Sequence, residues 1–580
     1  MGSARCQPIG DCAAAFPPDD AAIFVDAAFT AGELDATHFA TIGEALQAAP
    51  DGAVIAVEAG TYAEALDIAR SVSVVGRCAA EVQIASPGGA QPGIASDADA
   101  VVLRGLTVSG HLAGGIQVTG GSARVEQCQI KGNVGFGVAA FGATLTVVES
   151  SIADSESDGA YGLGAFALES GRIELVDSVI VRAKQIALGV AKASSASVTR
   201  TVIRDTETAE PGGKAARGLQ VDTDSTIEVE SSALLDNGGA AMAFGGGATT
   251  ATVRQTVLRG GAGPGILVRD GASLDLFECV VGGFGAWGIF GSAESVTTAR
   301  RSVVRGAYGT ESNATGGVLF ETGAVATLEE VAIVDNVGMG LQLQESSTSA
   351  TLRQSLIQGS RATVGASDGF GVAVGFGSTL VADDVALVAN EIAGLVVVGA
   401  GTDGKPSAAS ADRLLVRDTV ASPTAGYGRG IDVSETATLT LSRSAVSRSV
   451  EIAVGIAYGS VVDIADSTLR GTAPTATGAA DGVMVVDATL RMARSTTRDH
   501  ARIGLVFSGA SALLDASAVA GNAVGIHAQD GSVLQDVDAL PATPPDLQIL
   551  VTPSTHFIGN LTRIGSGVVP LPSPLAPLAN

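Results

Sequence analysis

Six charged side chains recur at a spacing that could support chemistry: Asp383, Asp384, Asp412, Arg413, Arg443 and Asp466. They fall at equivalent outward bends of four consecutive repeats, so stacked neighbours would stand about 5 Å apart. Carboxylates that close can hold calcium, and a guanidinium beside them can serve as a base, the equipment of a lyase acting on acidic polysaccharide. Equivalent bends elsewhere carry Glu149, Asp177, Arg200, Glu278, Arg301 and Glu330. A series that general reads first as a solvated ion ladder, with catalysis as the alternative. A second set is aromatic: Tyr161, Trp287, Tyr308, Phe370 and Tyr427 lie near one corner of the repeat, with Phe136 and Phe284. Rings on a polar flank can stack on sugars. They can equally fill a corner of the core.

Other motifs lose their chemistry in context. Gly399-Ala400-Gly401-Thr402-Asp403-Gly404-Lys405 matches a dinucleotide fingerprint and most of a phosphate loop, yet Pro406 and a further repeat follow where a helix must begin. Gly365-Ala366-Ser367-Asp368-Gly369 has the form of a nucleophile elbow without the helix or the His partner that it requires. His38, His111, His500, His527 and His556 are scattered over different repeats and strands. No three or four ligands converge as a metal centre needs, so no metal or other cofactor is expected, calcium belonging only to the lyase alternative.

The elements that must position these residues follow from composition and repetition. Of the 580 residues, 76 are Gly, 46% are hydrophobic and 4% aromatic, which suits a repetitive all-β chain better than several globular domains. The net charge of −26 excludes the cationic surface that nucleic acid demands and disfavours anionic membranes. No apolar run reaches the length of a membrane span. Met1-Gly2-Ser3 lacks the parts of a signal peptide and reads as vector-derived residues ahead of a mature secreted chain. Cys6 and Cys12 are close enough to bridge, which would mark an oxidising compartment. Cys78, Cys128 and Cys279 read as small buried hydrophobes.

An apolar marker recurs at Val108, Ile130, Ile152, Ile180, Ile203, Leu234, Leu258, Val281, Val304, Ile333, Ile357, Leu387, Val416, Val446, Leu469, Thr497 and Val519, aliphatic everywhere except Thr497. Five residues before it runs a second apolar series, from Leu103 and Val125 to Ile464 and Leu514. Ser, Thr or Cys commonly stands two before the marker, and Asn recurs about three after it, at Asn133, Asn237, Asn336, Asn390 and Asn522. A Gly followed by Ile, Val or Leu then opens another strand. Alternation at period two, broken by turns, gives three short strands per coil. A coil too thin to bury its own apolar face must stack on others. The expected fold is a right-handed single-stranded parallel β-helix of about twenty coils, the hand taken by analogy with parallel crossovers.

Thr41-Ile42-Gly43-Glu44 forms a capping box opening a helix to Ala49, stopped by Pro50. With Ala45-Leu46, Pro50-Asp51-Gly52, Gly60-Thr61-Tyr62 and Val74-Val75-Gly76, this opening resembles that of pectin-lyase-like β-helix proteins, a superfamily of pectate lyases, polygalacturonases, methylesterases, epimerases and bacterial surface proteins. The resemblance implies the fold over residues 23–540 and says little about activity. Of the polygalacturonase motifs only Asp383-Asp384 is present, and the methylesterase and epimerase signatures are absent. The expected organisation is an N-terminal tail (1–22), a cap with the first coils (23–100), the helix proper (101–540) and a Pro-rich segment (541–580) folding over the last coil.

Marker intervals are 22–24 or 28–31 residues, and the longer ones place their extra residues mostly at one corner, at 154–164, 205–218, 306–317, 359–371, 421–430 and 470–482. Insertions on one side make one decorated flank, where repeat proteins carry function. The leading expectation is a secreted or cell-surface, non-catalytic scaffold or polysaccharide-binding module using that flank. A polysaccharide lyase or glycoside hydrolase is the alternative.

Overall fold

The computed structural model describes residues 9–209, 216–309, 315–363, 368–423, 426–565, 567–573 and 575. The chain divides into two compact units, residues 1–280 and 281–580. Each is wound the same way. One coil of the first unit runs through the strands Thr144–Val148, Ser151–Ala153 and Leu163–Leu168. One coil of the second runs through Val461–Ala465, Thr468–Arg470 and Asp481–Val486. Each strand pairs in parallel with its counterpart one coil on, giving three parallel sheets, here the first, second and third in chain order. The described residues hold 63 strands and one helix, or about twenty coils.

The marker residues keep register. In the first unit Val108, Ile130, Ile152, Ile180, Ile203, Leu234 and Leu258 partner one another in turn. In the second, the run from Val304 and Ile333 through Leu387 and Val446 to Thr497 and Val519 does the same. All are buried, each aliphatic one contributing about 1.5–3 kcal/mol of apolar transfer. Even Thr497 is buried, its hydroxyl 3.0 Å from His500 Nε2.

The polar series satisfy the backbone at the bends. Ser178 Oγ accepts the Ser150 N–H at 3.2 Å and donates to Val176 O at 2.8 Å. Asn390 Oδ1 accepts the Ser360 N–H at 3.0 Å while its Nδ2 donates to Ile357 O at 3.2 Å. A third ladder, unread in the sequence, lies before the first sheet: Ser225 Oγ accepts the Ser194 N–H at 3.2 Å, and Ser194 Oγ accepts the Gly171 N–H at 3.2 Å. A buried backbone group left unpaired costs about 1–3 kcal/mol, so these small residues decide where the chain bends.

The helix Ile42–Ala48 forms as the capping box requires, Thr41 Oγ1 accepting the Glu44 N–H at 3.3 Å. The Glu64 carboxylate also accepts from the Ile42 and Gly43 N–H groups at 2.9 and 2.8 Å. Ile42 and Ala45 are buried against the first strands. Among the described residues no helix is long and apolar enough to cross a membrane.

Two expectations need correction. Cys12 is bonded to Cys78, 66 residues away, and Cys6 lies outside the described residues. Residues 9–20 fold back on the coil that carries Cys78, with Arg77 4.8 Å over the Phe16 ring, so tertiary placement rather than sequence proximity chose the partner. Cys128 and Cys279 are free and buried as expected. The repeat also runs past residue 540. Gln548–Val551, His556–Ile558 and Thr562–Ile564 pair with the three strands of the preceding coil, and Asn560 Oδ1 accepts the Asn522 N–H at 3.0 Å. An excursion through Val533–Asp536, which pairs outside Gln548–Val551, hides this coil from the spacing. Residues 567–573 and 575 leave the repeat, and they lie over the third sheet instead of the last coil.

Candidate functional site

The charged bend of the second unit is set by backbone geometry. Asp384, Arg413, Arg443 and Asp466 have φ of +57°, +51°, +48° and +52°. A left-handed residue between two strands turns its side chain to solvent, and Asp tolerates the conformation well. Arg413 bonds Asp383 and, at 2.8 Å, Asp412. Arg443 Nε donates to Asp412 Oδ1 at 2.8 Å, and Arg494 holds both oxygens of Asp466 at 2.7 Å. Arg443, then the Ser442 hydroxyl, push the Asp412 carboxyl down to about 2, and Arg494 lowers Asp466. Asp384 is exposed beside Arg413 on a shallow depression. The structure brings the six residues together, but among their acids Asp383, Asp412 and Asp466 already hold guanidiniums. The same motif appears in the first unit, where Arg200 grips Asp177 at 2.6–2.7 Å.

The five predicted ring positions divide. Tyr161 and Tyr308 are 58% and 51% exposed on corner insertions. Trp287 is buried with its indole lying over Gly316. Phe370 is buried in a cluster with Ile392, Val396 and Leu575. Tyr427 is partly buried against that cluster, its ring 4.9 Å from the Arg429 guanidinium carbon. Trp287 and Phe370 therefore fill the corner and offer no face to a ligand, because the chain packs over them.

The sequence reading missed the exterior of the third sheet in the first unit. Gln117, Ala139, Phe166, Gly189, Gln220 and Ala243 form one outward column in register. Beside it, Phe136, Leu163, Ile186 and Arg217 form another. Phe136, Phe141 and Phe166 are all partly exposed. The Phe166 ring lies over Gly189, where an added Cβ would stand 2.9 Å from its Cδ2. Phe136 lies over Gly114, where a Cβ would come within 2.2 Å of its Cζ. Phe141 meets Phe166 edge to face at 6.3 Å. One coil on from Gly189, Arg217 donates to Gln220 Oε1 at 2.6 Å, and Gln220 donates to Asp222. Flat rings beside a row of amide, guanidinium and carboxylate groups offer an apolar surface with a polar rim. The sequence did carry a signal: in Leu163–Leu168 the inward residues Ala165 and Ala167 are small and the outward Phe166 is large.

The second unit differs on its own third sheet. Its outward positions hold Ala373, Val396, Met484 and Val506, all buried, because residues 567–573 and 575 lie across them. A charged group sits under that cover. Arg429 donates to Asp432 Oδ2 and Glu451 Oε2, both at 2.7 Å, and to Ser573 O. Arg502 holds Asp481 through Nε at 2.8 Å and donates from Nη1 to Pro570 O at 2.9 Å. Burial pushes the Asp432 and Asp481 carboxyls above their usual range, against the guanidiniums that favour ionisation.

Comparison with known proteins agrees with this winding. Residues 92–258 match the family model described as a right handed beta helix region. The chain is thus wound as a right-handed parallel β-helix, the hand carried by the match over residues 92–258. Similar solved structures include the mannuronan C-5 epimerase AlgE6 A-module of Azotobacter vinelandii, 14% identical with a TM-score of 0.36 over 66% of this chain and 93% of that one. The pectate lyase Pel9A is 14% identical, with a TM-score of 0.28 over 59% and 77%. The pectin methylesterase from Aspergillus niger is 16% identical, with a TM-score of 0.26 over 45% and 84%. At these levels the likenesses carry no correspondence of residues. No curated protein matches the chain in sequence.

Proposed function

We propose that the protein is a secreted, non-catalytic β-helix that binds a neutral polysaccharide along the exterior of the third sheet in its first unit. The observation that carries this reading is the pair of rings, Phe136 and Phe166, laid over glycines beside the Arg217–Gln220–Asp222 row. Such rings match the apolar faces of pyranose units, while the amide and charged groups meet hydroxyls. The net charge of −26 repels a polyuronate and leaves a neutral polymer favoured. The Cys12–Cys78 bond supports an oxidising, extracellular setting. The catalytic alternative gains no support from Asp383, Asp412 or Asp466, each of which holds an arginine.

Affinity electrophoresis against a panel of neutral and uronate polymers tests the proposal. Retardation by a neutral polymer is expected, with about tenfold weaker binding for Phe166→Ala, the loss of roughly 1.4 kcal/mol. No retardation by any polymer, or an unchanged Phe166→Ala protein, overturns it. Release of unsaturated product from a uronate polymer with calcium would favour the lyase reading instead.

A further inference from the structure

The cover on the third sheet of the second unit is built as a bound ligand. Residues 567–573, Gly567-Val568-Val569-Pro570-Leu571-Pro572-Ser573, belong to no strand of the described structure. They are held nonetheless at every level of the groove. Gln529 clamps Val569 from both sides, its Oε1 accepting the Val569 N–H at 2.9 Å and its Nε2 donating to Val569 O at 3.3 Å. Pro570 O and Ser573 O accept from Arg502 and Arg429. Val569 and Leu571 pack on Ile452, Met484, Ile503 and Val506, and Leu575 packs among Phe370, Ile392 and Val396.

The spacing has a physical logic. A Pro-rich segment favours the polyproline II helix, three residues and about 9.3 Å per turn. Two coils of a β-helix advance about 9.6 Å. Carbonyls three residues apart, such as those of Pro570 and Ser573, therefore face the sheet together about one such turn apart, whereas Arg429 and Arg502 stand three coils apart, about 14 Å. The two guanidiniums lean toward each other to meet them. Arg429 reaches forward onto Glu451 of the next coil, and Arg502 reaches back onto Asp481 of the preceding one. Each arginine is fixed by carboxylates and keeps one N–H for a main-chain carbonyl. Proline carbonyls are strong acceptors on residues with no N–H to satisfy, so such a groove selects the backbone of a Pro-rich chain.

We propose that this groove is a recognition site for an extended Pro-rich peptide, and that residues 567–573 with Leu575 are its tethered, exchangeable ligand. The inference rests on the second unit alone and is independent of the carbohydrate reading. Its specificity lies in apolar side chains at 569, 571 and 575 and in the carbonyls at 570 and 573.

The test uses the full chain carrying Val569→Asp and Leu571→Asp, which unseats the tethered segment and leaves the groove unaltered. A labelled peptide with the sequence of residues 565–580 is titrated into it and followed by fluorescence anisotropy. Saturable binding is expected, at least about 100-fold tighter than to the unaltered chain, whose own segment competes at a millimolar effective concentration. A peptide carrying the same two Asp substitutions should not bind. Equal binding to both chains, equal binding of both peptides, or no binding at all overturns the proposal. A second measurement uses the unaltered chain, so it does not depend on the variant's folding. Millimolar unsubstituted peptide should speed hydrogen exchange of residues 567–573 through displacement, and the substituted peptide should not. Exchange that ignores both peptides also overturns it.

Discussion

Replacing Arg429 by Met probes the buried charges most directly. The substitution keeps an unbranched apolar stem, shorter than that of Arg, and removes the bonds to Asp432, Glu451 and Ser573. Asp432, 4% exposed, then faces the interior of the cover without a counter-charge. Breaking a buried pair by removing one partner costs about 3–5 kcal/mol. Protonation caps that cost. Taking up a proton costs about 4 kcal/mol at pH 7 for a carboxyl whose unfolded pKa is about 3.9, and about 1.5 kcal/mol at pH 5. Asp432 in the variant has a folded pKa above its unfolded one, so its penalty grows as pH rises through that window and shrinks as pH falls. Because Asp432 is raised in the unaltered chain as well, the difference between the two should be smaller at pH 5 than at pH 7 by at most about 2–3 kcal/mol. Hydrogen exchange within Gly428–Ser434 reports this locally, without assuming that so long a solenoid unfolds in one step. Adding Asp432→Leu should recover the share due to Asp432, because an apolar residue needs no partner there. An equal loss at both pH values, or no recovery in the double variant, refutes the reasoning.

Further outcomes follow from other sites. Burial depresses His500 to about 4, so its contribution is present above pH 6.5 and is lost as pH falls toward 4, by about 3 kcal/mol; exchange in Thr496–Arg498 should accelerate across that window, and less so in His500→Gln. Asn390→Ala leaves the Ser360 N–H and Ile357 O without their partner, costing about 2–4 kcal/mol, read as a lower thermal midpoint with circular dichroism. Reducing Cys12–Cys78, which closes a 66-residue separation, should cost about 4 kcal/mol in the chain-entropy account and free residues 9–20 to protease. Gly189→Val should lift the Phe166 ring and weaken polymer binding about as much as Phe166→Ala, measured by the same electrophoresis.

The winding was legible because it is a local rule repeated. A marker every 22 to 31 residues, a Ser or Thr two before it and an Asn three after it each meet a need of one bend, and every bend has the same need. The exceptions show where that logic stops. Cys12 found Cys78 through a fold-back that has no period. The last coil escaped notice because Val533–Asp536 interrupts the count while the Asn560 ladder goes on. Asp384 and Arg413 drew attention for being charged and regular, yet regularity is what a left-handed bend imposes on any polar side chain.

The outward faces of the third sheet are harder to read, because nothing periodic fixes them. In the first unit Phe136, Phe141 and Phe166 stay partly exposed on this face, and the rings are tolerated next to Gly114 and Gly189, which have no side chain in the way. In the second unit the strands Ile392–Val398 and Ile503–Ser508 are apolar at inward and outward positions alike. A strand apolar on both faces is one that something covers. Here the cover comes from residues far along the chain, and Arg429 and Asp481 are stable inside it because the carbonyls of Ser573 and Pro570 complete the bonds of Arg429 and Arg502. The same argument runs in reverse. A chain with Pro at 570 and 572 has few N–H groups to offer, so beyond the Val569 N–H that Gln529 accepts it binds by accepting, and a groove that presents donors suits it. The buried Arg429, the half-buried Arg502 and the proline-rich segment are thus parts of one device, each costly without the others.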